Sequence, residues 1–196
     1  MRAKKEFVLG IPMMEKKENS EPANDAEPFY KNYMKQEPIK KIEKIVVNSG
    51  IGRLTERANF EDKILPELMK EFALITGQKP SPRPARISIA GFKIREGMIV
   101  GMKATLRGKR MEQFLDRLIK IVLPRIRDFR GISLDHVDKR GNLTIGIKEC
   151  IVFPEINPET LQTNFSLEIT LVPKYSHDRE EMVELYRSLH IPFKKS

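Results

Sequence analysis

Groups able to do covalent or metal chemistry are few in this chain, and they are scattered. His136, His177 and His190 lie far apart, with no second His or Cys at metal-ligand spacing, and Cys150 is the single cysteine. One thiol can build neither an internal disulfide nor, by itself, a tetrahedral zinc site. Asn48-Ser49-Gly50-Ile51-Gly52-Arg53 has the outline of a phosphate-binding turn, but Thr55 stands where a third glycine would be and no Lys-Ser/Thr pair follows. A tight turn is the expectation there. Asp62, Glu67 and Glu71 read as ordinary helix charges. The G-x-S-x-G elbow, the H-E-x-x-H pair and any Cys–His pairing for nucleophilic attack are missing from the sequence. Its residues point away from an enzyme and call for no metal or cofactor.

Cations are the chemistry it does carry. The chain has 36 Lys and Arg against 27 Asp and Glu, a net charge of +9. Residues 79–130 hold fourteen of the bases and four of the acids, a net +10, while the other segments nearly cancel. Clustered cations favour a polyanion, because neutralising phosphates releases condensed counterions. Arg83 and Arg86 flank rigid prolines, Lys93 and Arg95 flank a turn, and Arg107, Lys109 and Arg110 adjoin Gly108. Arg125, Arg127 and Arg130 interleave with Ile126 and Phe129. Cations on strand ends and loops suit a shaped RNA surface, where recognition runs through phosphates, 2′-hydroxyls and shape. Helix-turn-helix, zinc-finger and RRM signatures are absent.

The elements that must position these cations follow from periodicity. Ile42, Ile45, Val46 and Val47 mark a strand over residues 40–48. Phe60, Ile64, Leu68 and Phe72 recur at helical spacing, Pro66 predicts a kink or a helix start, and Gly77 sits at the C-cap position. Pro80, Pro82 and Pro84 hold the chain extended ahead of strands expected at 86–92 and 100–106. Met111, Phe114, Leu115, Leu118, Ile119 and Val122 form one apolar helical stripe, with Arg110, Gln113, Arg117 and Lys120 opposite and Pro124 as the stop. Strands are expected at 143–152 and 166–172. A last helix is expected from Asp178, with Glu181 completing a capping box. Strands and helices do not alternate one for one. The expected class is therefore α+β, a largely antiparallel sheet packed with amphipathic helices in a single compact domain.

At 196 residues the chain suffices for one such domain, over residues 39–196, plus an N-terminal extension at 1–38. That extension carries Pro12, Pro22, Pro28 and Pro38, balanced charge and no sustained period, and is expected to be flexible. Its Phe7-to-Met14 run is too short and too interrupted for a signal peptide. No apolar run approaches 18 residues, so no membrane span is expected, and a cytoplasmic setting is the default. These residues lead to a compact polyanion-binding α+β domain, with RNA the favoured partner.

The same stretches carry a family likeness. Gly77-Gln78-Lys79-Pro80, Ser88-Ile89-Ala90-Gly91-Phe92-Lys93-Ile94-Arg95, Thr105-Leu106-Arg107-Gly108 and Leu123-Pro124-Arg125-Ile126-Arg127-Asp128-Phe129-Arg130-Gly131 occur in order. Arg140-Gly141-Asn142, Phe153-Pro154-Glu155-Ile156 and Ile191-Pro192-Phe193 follow. Over residues 39–193 the chain resembles the family of large-subunit ribosomal protein five, in its bacterial form. The resemblance implies a structural, non-enzymatic protein of the central protuberance that binds 5S rRNA and anchors it among large-subunit rRNA and neighbouring ribosomal proteins. It assigns 5S rRNA contacts to Asn48, Gln78, Lys79, Arg86, Ser88 and Thr105. Arg83 and Arg107 join them, Arg83 as partial compensation where Pro84 and Ile87 stand in place of common lysines. It also implies a P-site tRNA contact through residues 93–101, with Lys93, Arg95, Gly97 and Met98, and a bridge to small-subunit protein thirteen near residues 135–142. The alternatives are a stand-alone RNA-binding or RNA-chaperone protein, and a nucleotide-dependent enzyme using the Gly50-Ile51-Gly52 turn.

Overall fold

The computed structural model describes residues 37–57, 59–159, 161–175 and 178–194. The expectations for residues 1–36 and for His177 lie outside them. After a 3-10 turn at Glu37–Lys41, strand β1 runs Ile42–Gly50, two residues later than expected. Ser49 and Gly50 stay in the strand because they still pair with Met102 and Gly101.

A π-helical turn, Phe60–Ile64, leads into α1, Leu65–Thr76. Pro66 lies in the first turn of α1, where a missing N–H costs no intrahelical bond. Gly77 closes the helix in the left-handed region (φ 66°), its N–H donating to the Ala73 carbonyl at 2.8 Å. Most non-glycine residues resist that conformation.

The next strand corrects the sequence expectation. β2 is Ser81–Pro84, inside the proline-rich stretch, and residues 86–92 form no named strand. Arg86 and Ser88, expected on a strand, lie in the connection to β3, Ile99–Leu106. Prolines are tolerated in β2 because it is an edge strand, where an N–H facing outward has no ladder partner to lose.

Helix α2, Gly108–Arg117, continues through a π-turn, Leu118–Val122, into a last α-turn, Leu123–Arg125. Pro124 therefore starts that final turn and is not the stop; the helix ends when Ile126 turns extended. The Leu123 N–H still reaches the Leu118 carbonyl, so the proline's missing donor falls at the junction of the two helical forms. Met111, Phe114, Leu115, Leu118 and Val122 are buried, each contributing roughly 1.5–3 kcal/mol before entropy, while Ile119, expected in the same stripe, is only half-buried.

β4, Leu143–Ile147, is half the expected length. The chain leaves the sheet because Asn164 Oδ1 accepts the Cys150 N–H at 3.1 Å, drawing Cys150–Val152 into a 3-10 turn. β5 spans Leu167–Pro173 and α3 spans Arg179–Ser188. Asp178 has the N-cap backbone conformation, but its side chain makes no capping bond, and Glu181 lies 3.6 Å from Lys41 Nζ.

The five strands form one antiparallel sheet in the order β2-β3-β1-β5-β4. Alternate residues are buried on one side: Ile45 and Val47 in β1, Met102, Ala104 and Leu106 in β3, Ile169 and Leu171 in β5, Leu143 and Ile145 in β4. The apolar sides of the helices supply the other half of that core, with Phe72 stacked near Phe165 and Phe114 near Phe153. This is the expected α+β architecture. Among the described residues, no helix packs over the second side of the sheet.

Candidate nucleic-acid interface

Strand period 2 sends the residues between the core positions to the open side, and the register aligns them into rows. One row crosses all five strands: Ser81, Lys103, Asn48, Glu168 and Gly146 are successive cross-strand partners. Beside it run Thr105, Val46, Thr170 and Thr144. On the other side, Arg83 pairs with Gly101 and Gly101 with Gly50. Apart from Val46 the rows are polar or glycine, and Gly50, Gly101 and Gly146 allow close backbone approach. Its charge is polarised: Arg83 and Lys103 lie on β2 and β3, and Glu168 lies on β5.

Three residues assigned from the sequence meet on this face: Asn48, Thr105 and Arg83. Gln78 and Lys79 occupy the link from α1 into β2, just ahead of Ser81, which is opposite Lys103. The Thr76 hydroxyl donates to the Gln78 carbonyl at 2.9 Å, which fixes that link while leaving Lys79 exposed. Arg107 follows β3 directly and lies 3.4 Å from Glu43. Lys44, bonded to Glu43 at 3.2 Å, and then Arg107 hold the Glu43 carboxyl below its ordinary range, against the opposing effect of burial.

The remaining assigned residues build a second feature, the connection over residues 85–98. Its base is closed by Ala85 N–H to the Met98 carbonyl (2.8 Å) and Gly97 N–H to the Ala85 carbonyl (3.0 Å). Near its tip, Ile89 and Ile94 exchange backbone bonds at 2.9 and 3.2 Å around a turn at Ala90–Phe92. The Ser88 hydroxyl accepts the Glu96 N–H at 2.9 Å, so Ser88 serves the arm's own architecture. Lys93 (φ 51°) and Gly97 (φ 84°) take the left-handed conformations that fold the arm back. Ile87 and Phe92 are each 71% exposed among Arg86, Lys93 and Arg95. An exposed aromatic among cations is the composition that stacks on nucleic-acid bases.

Not every cation in residues 79–130 faces outward. Arg117 Nη1 bonds Glu155 at 2.7 Å, Nη2 donates to the Ile75 carbonyl at 2.7 Å, and the guanidinium stands 5.8 Å from the Phe114 ring centre. It ties α2 to α1 and the core. Lys120 pairs with Asp116 one helical turn away. Sequence reasoning missed Lys103 and Glu168. The alternation Met102, Ala104, Leu106 carried the signal for Lys103, whereas nothing local marked Glu168.

The 135–142 loop is tightly built. Asp138 accepts the Arg140 and Asn142 N–H groups, both at 2.8 Å, and Asn142 Nδ2 at 2.7 Å. Burial raises its pKa, but these bonds outweigh that and leave it below its ordinary value. The Tyr186 hydroxyl, its pKa pushed up by burial, donates to the Gly141 carbonyl at 2.7 Å. Burial also pushes up the Glu71 carboxyl, with Glu67 adding to it, and the Cys150 thiol, which lies 3.2 Å from Asn164 Oδ1. Among the described residues no group of His, Cys, Asp and Glu could hold a metal, and no helix is long and apolar enough to cross a membrane.

Comparison with known proteins agrees with this arrangement. Residues 36–95 match the ribosomal protein L5 family model, and residues 99–193 match the model of the family's C-terminus. The seam between the two falls in the arm, although β2 and β3 on either side pair in one sheet. The large ribosomal subunit protein uL5 of Rubrobacter xylanophilus is 50% identical over 153 residues, 78% of this chain and 82% of its own. That of Spiroplasma kunkelii is 48% identical over 154 residues, 79% and 83% of the two chains. That of Lacticaseibacillus casei is 46% identical over 164 residues, 84% and 88%. Matches along most of the chain lead to one conclusion: it belongs to the ribosomal protein L5 family, in its bacterial type, and is by that family a ribosomal structural protein and not an enzyme.

Proposed function

We propose that this protein, a large-subunit ribosomal constituent by family, anchors 5S rRNA on the open face of its sheet. The observation that carries the reading is the row Lys103–Asn48 with Thr105 and Arg83 beside it, cationic on the β2–β3 side and with no helix over it among the described residues. Lys103, Arg83 and Lys79 attract phosphates. Asn48, Gln78 and Thr105 offer directional hydrogen bonds. The arm over residues 85–98, with Lys93, Arg95, Gly97 and Met98, reaches the P-site tRNA. The exposed turn of Asp135, Lys139 and Arg140 meets small-subunit protein thirteen, and other large-subunit rRNA and central-protuberance proteins complete the surroundings.

Asn48→Ala and Thr105→Ala test the reading. Each removes a directional bond worth about 1 kcal/mol or more at an interface, so each weakens 5S rRNA binding several-fold and an unrelated RNA hairpin far less. Equal losses on both RNAs would reduce the face to nonspecific attraction and defeat the proposal.

A further inference from the structure

The open face contains a carboxylate that a phosphate-binding surface has no use for. Glu168 stands in the same row as Asn48, its direct cross-strand partner, with Asn48 Nδ2 3.5 Å from Glu168 Oε2. Gly146 is its partner on the other side, and a Cβ added at Gly146 or at Gly50 would meet nothing within 4 Å. The result is a hollow of about 490 Å³ lined by Asn48, Gly50, Gly146, Lys148, Ser166 and Glu168 among others. Lys148 shares the hollow, but the Glu168 carboxylate opposes phosphate there and its two oxygens suit a donor-bearing part of a ligand.

We propose that Glu168 and Asn48 read the Watson–Crick edge of one unpaired guanine, seated on the hollow that the glycines leave open. The proposal rests on the reading that RNA docks on this face. Across the pair the groups run donor, acceptor, acceptor: the Asn48 amide N–H, then the two Glu168 oxygens. Guanine's edge presents O6, N1–H and N2–H, an acceptor followed by two donors, and is the complement of that sequence. Cytosine and adenine each pair a donating amino group with an acceptor nitrogen, and uracil sets one donor between two acceptors, so each would put a lone pair against the carboxylate. Side-chain pairs of this kind discriminate between bases through matched donors and acceptors. Single-stranded or bulged positions in folded RNA offer such an edge.

Glu168→Gln separates the two roles the residue could have. The amide removes a negative charge, which by itself tightens RNA binding, and it replaces an acceptor with a donor, which clashes with the guanine edge. Kethoxal, which modifies N1 and N2 of unpaired guanines, reads the contact directly. Wild-type protein bound to 5S rRNA is expected to protect one guanine that the Glu168→Gln complex leaves reactive, with affinity falling roughly ten- to a hundred-fold. Inosine at that guanine, which lacks the N2 amino group, is expected to weaken the wild type and leave the variant unchanged. Unchanged kethoxal protection, or tighter binding by the variant with protection intact, would make Glu168 a solvated surface charge and overturn this inference alone. A wild-type protein that protects no 5S rRNA nucleotide overturns the docking reading as well. Glu168 is exposed on the open side, so the substitution leaves the core packing untouched.

Discussion

Lys103 and Arg117 carry the same charge in the same basic segment, and their surroundings give them opposite tasks. Lys103 lies between Ser81 and Asn48 on the open face, free to meet a phosphate. Arg117 is spent on Glu155, the Ile75 carbonyl and the Phe114 ring. Lys103→Ala is expected to lower the slope of log K against log salt by about one phosphate's worth, with little change in stability. Arg117→Ala is expected to leave that slope alone and to destabilise the fold by about 1–3 kcal/mol, because it strips a partner from a partly buried carboxylate and a carbonyl. RNA titrations at several salt concentrations and urea unfolding separate the two. A reduced slope for Arg117→Ala with unchanged stability would place that side chain on the interface.

Among the elements, the chain end shows how a glycine directs packing. Gly131 has φ 94°, and the residue after it is locked to the C-terminal segment: Ile132 N–H donates to the Pro192 carbonyl at 2.8 Å, and Lys194 N–H to the Ile132 carbonyl at 2.9 Å. A Cβ at Gly131 would lie 2.7 Å from Lys194 N and Phe193 C. The obstacles are backbone atoms, which cannot swing aside. Gly131→Ala is expected to cost about 1–3 kcal/mol in backbone strain alone and to release residues 191–194, seen as faster amide exchange there. Exchange as slow as in the wild type would show that the close approach does not hold the chain end. The same scale explains the arm: backbone bonds at its base and near its tip hold it, Lys93 Nζ lies 3.7 Å from Glu56, and Arg86, Arg95 and Phe92 stand exposed on it.

For the molecule as a whole, the polarised sheet face governs long-range attraction. Log K for 5S rRNA is expected to fall by about 0.7–0.9 for each phosphate neutralised as log salt rises, with a slope of several units if Arg83, Lys103, Lys79 and Arg107 all engage. Isothermal titrations across a salt series measure it. A flat response would remove phosphate contact from the account.

Much of this was readable from residue order, and the divide is physical. The apolar stripe from Met111 to Val122, the left-handed cap at Gly77 and the concentration of charge in residues 79–130 are local or compositional properties, set by neighbours within a few positions. By themselves they determined the α+β class and pointed to a polyanion partner, RNA favoured. The quoted motif blocks carried the family likeness, which the comparisons then established. Only the tertiary structure decided which cations face outward and which residues share a row. Ser81, Lys103, Asn48, Glu168 and Gly146 come from five distant points of the chain. No sequence period links them, because strand order and register are settled by hydrogen bonds and core packing between segments far apart. The misplaced strand at 86–92 arose in the same way: whether a proline can sit in a strand depends on that strand lying at the edge of the sheet, a fact about its neighbours in space.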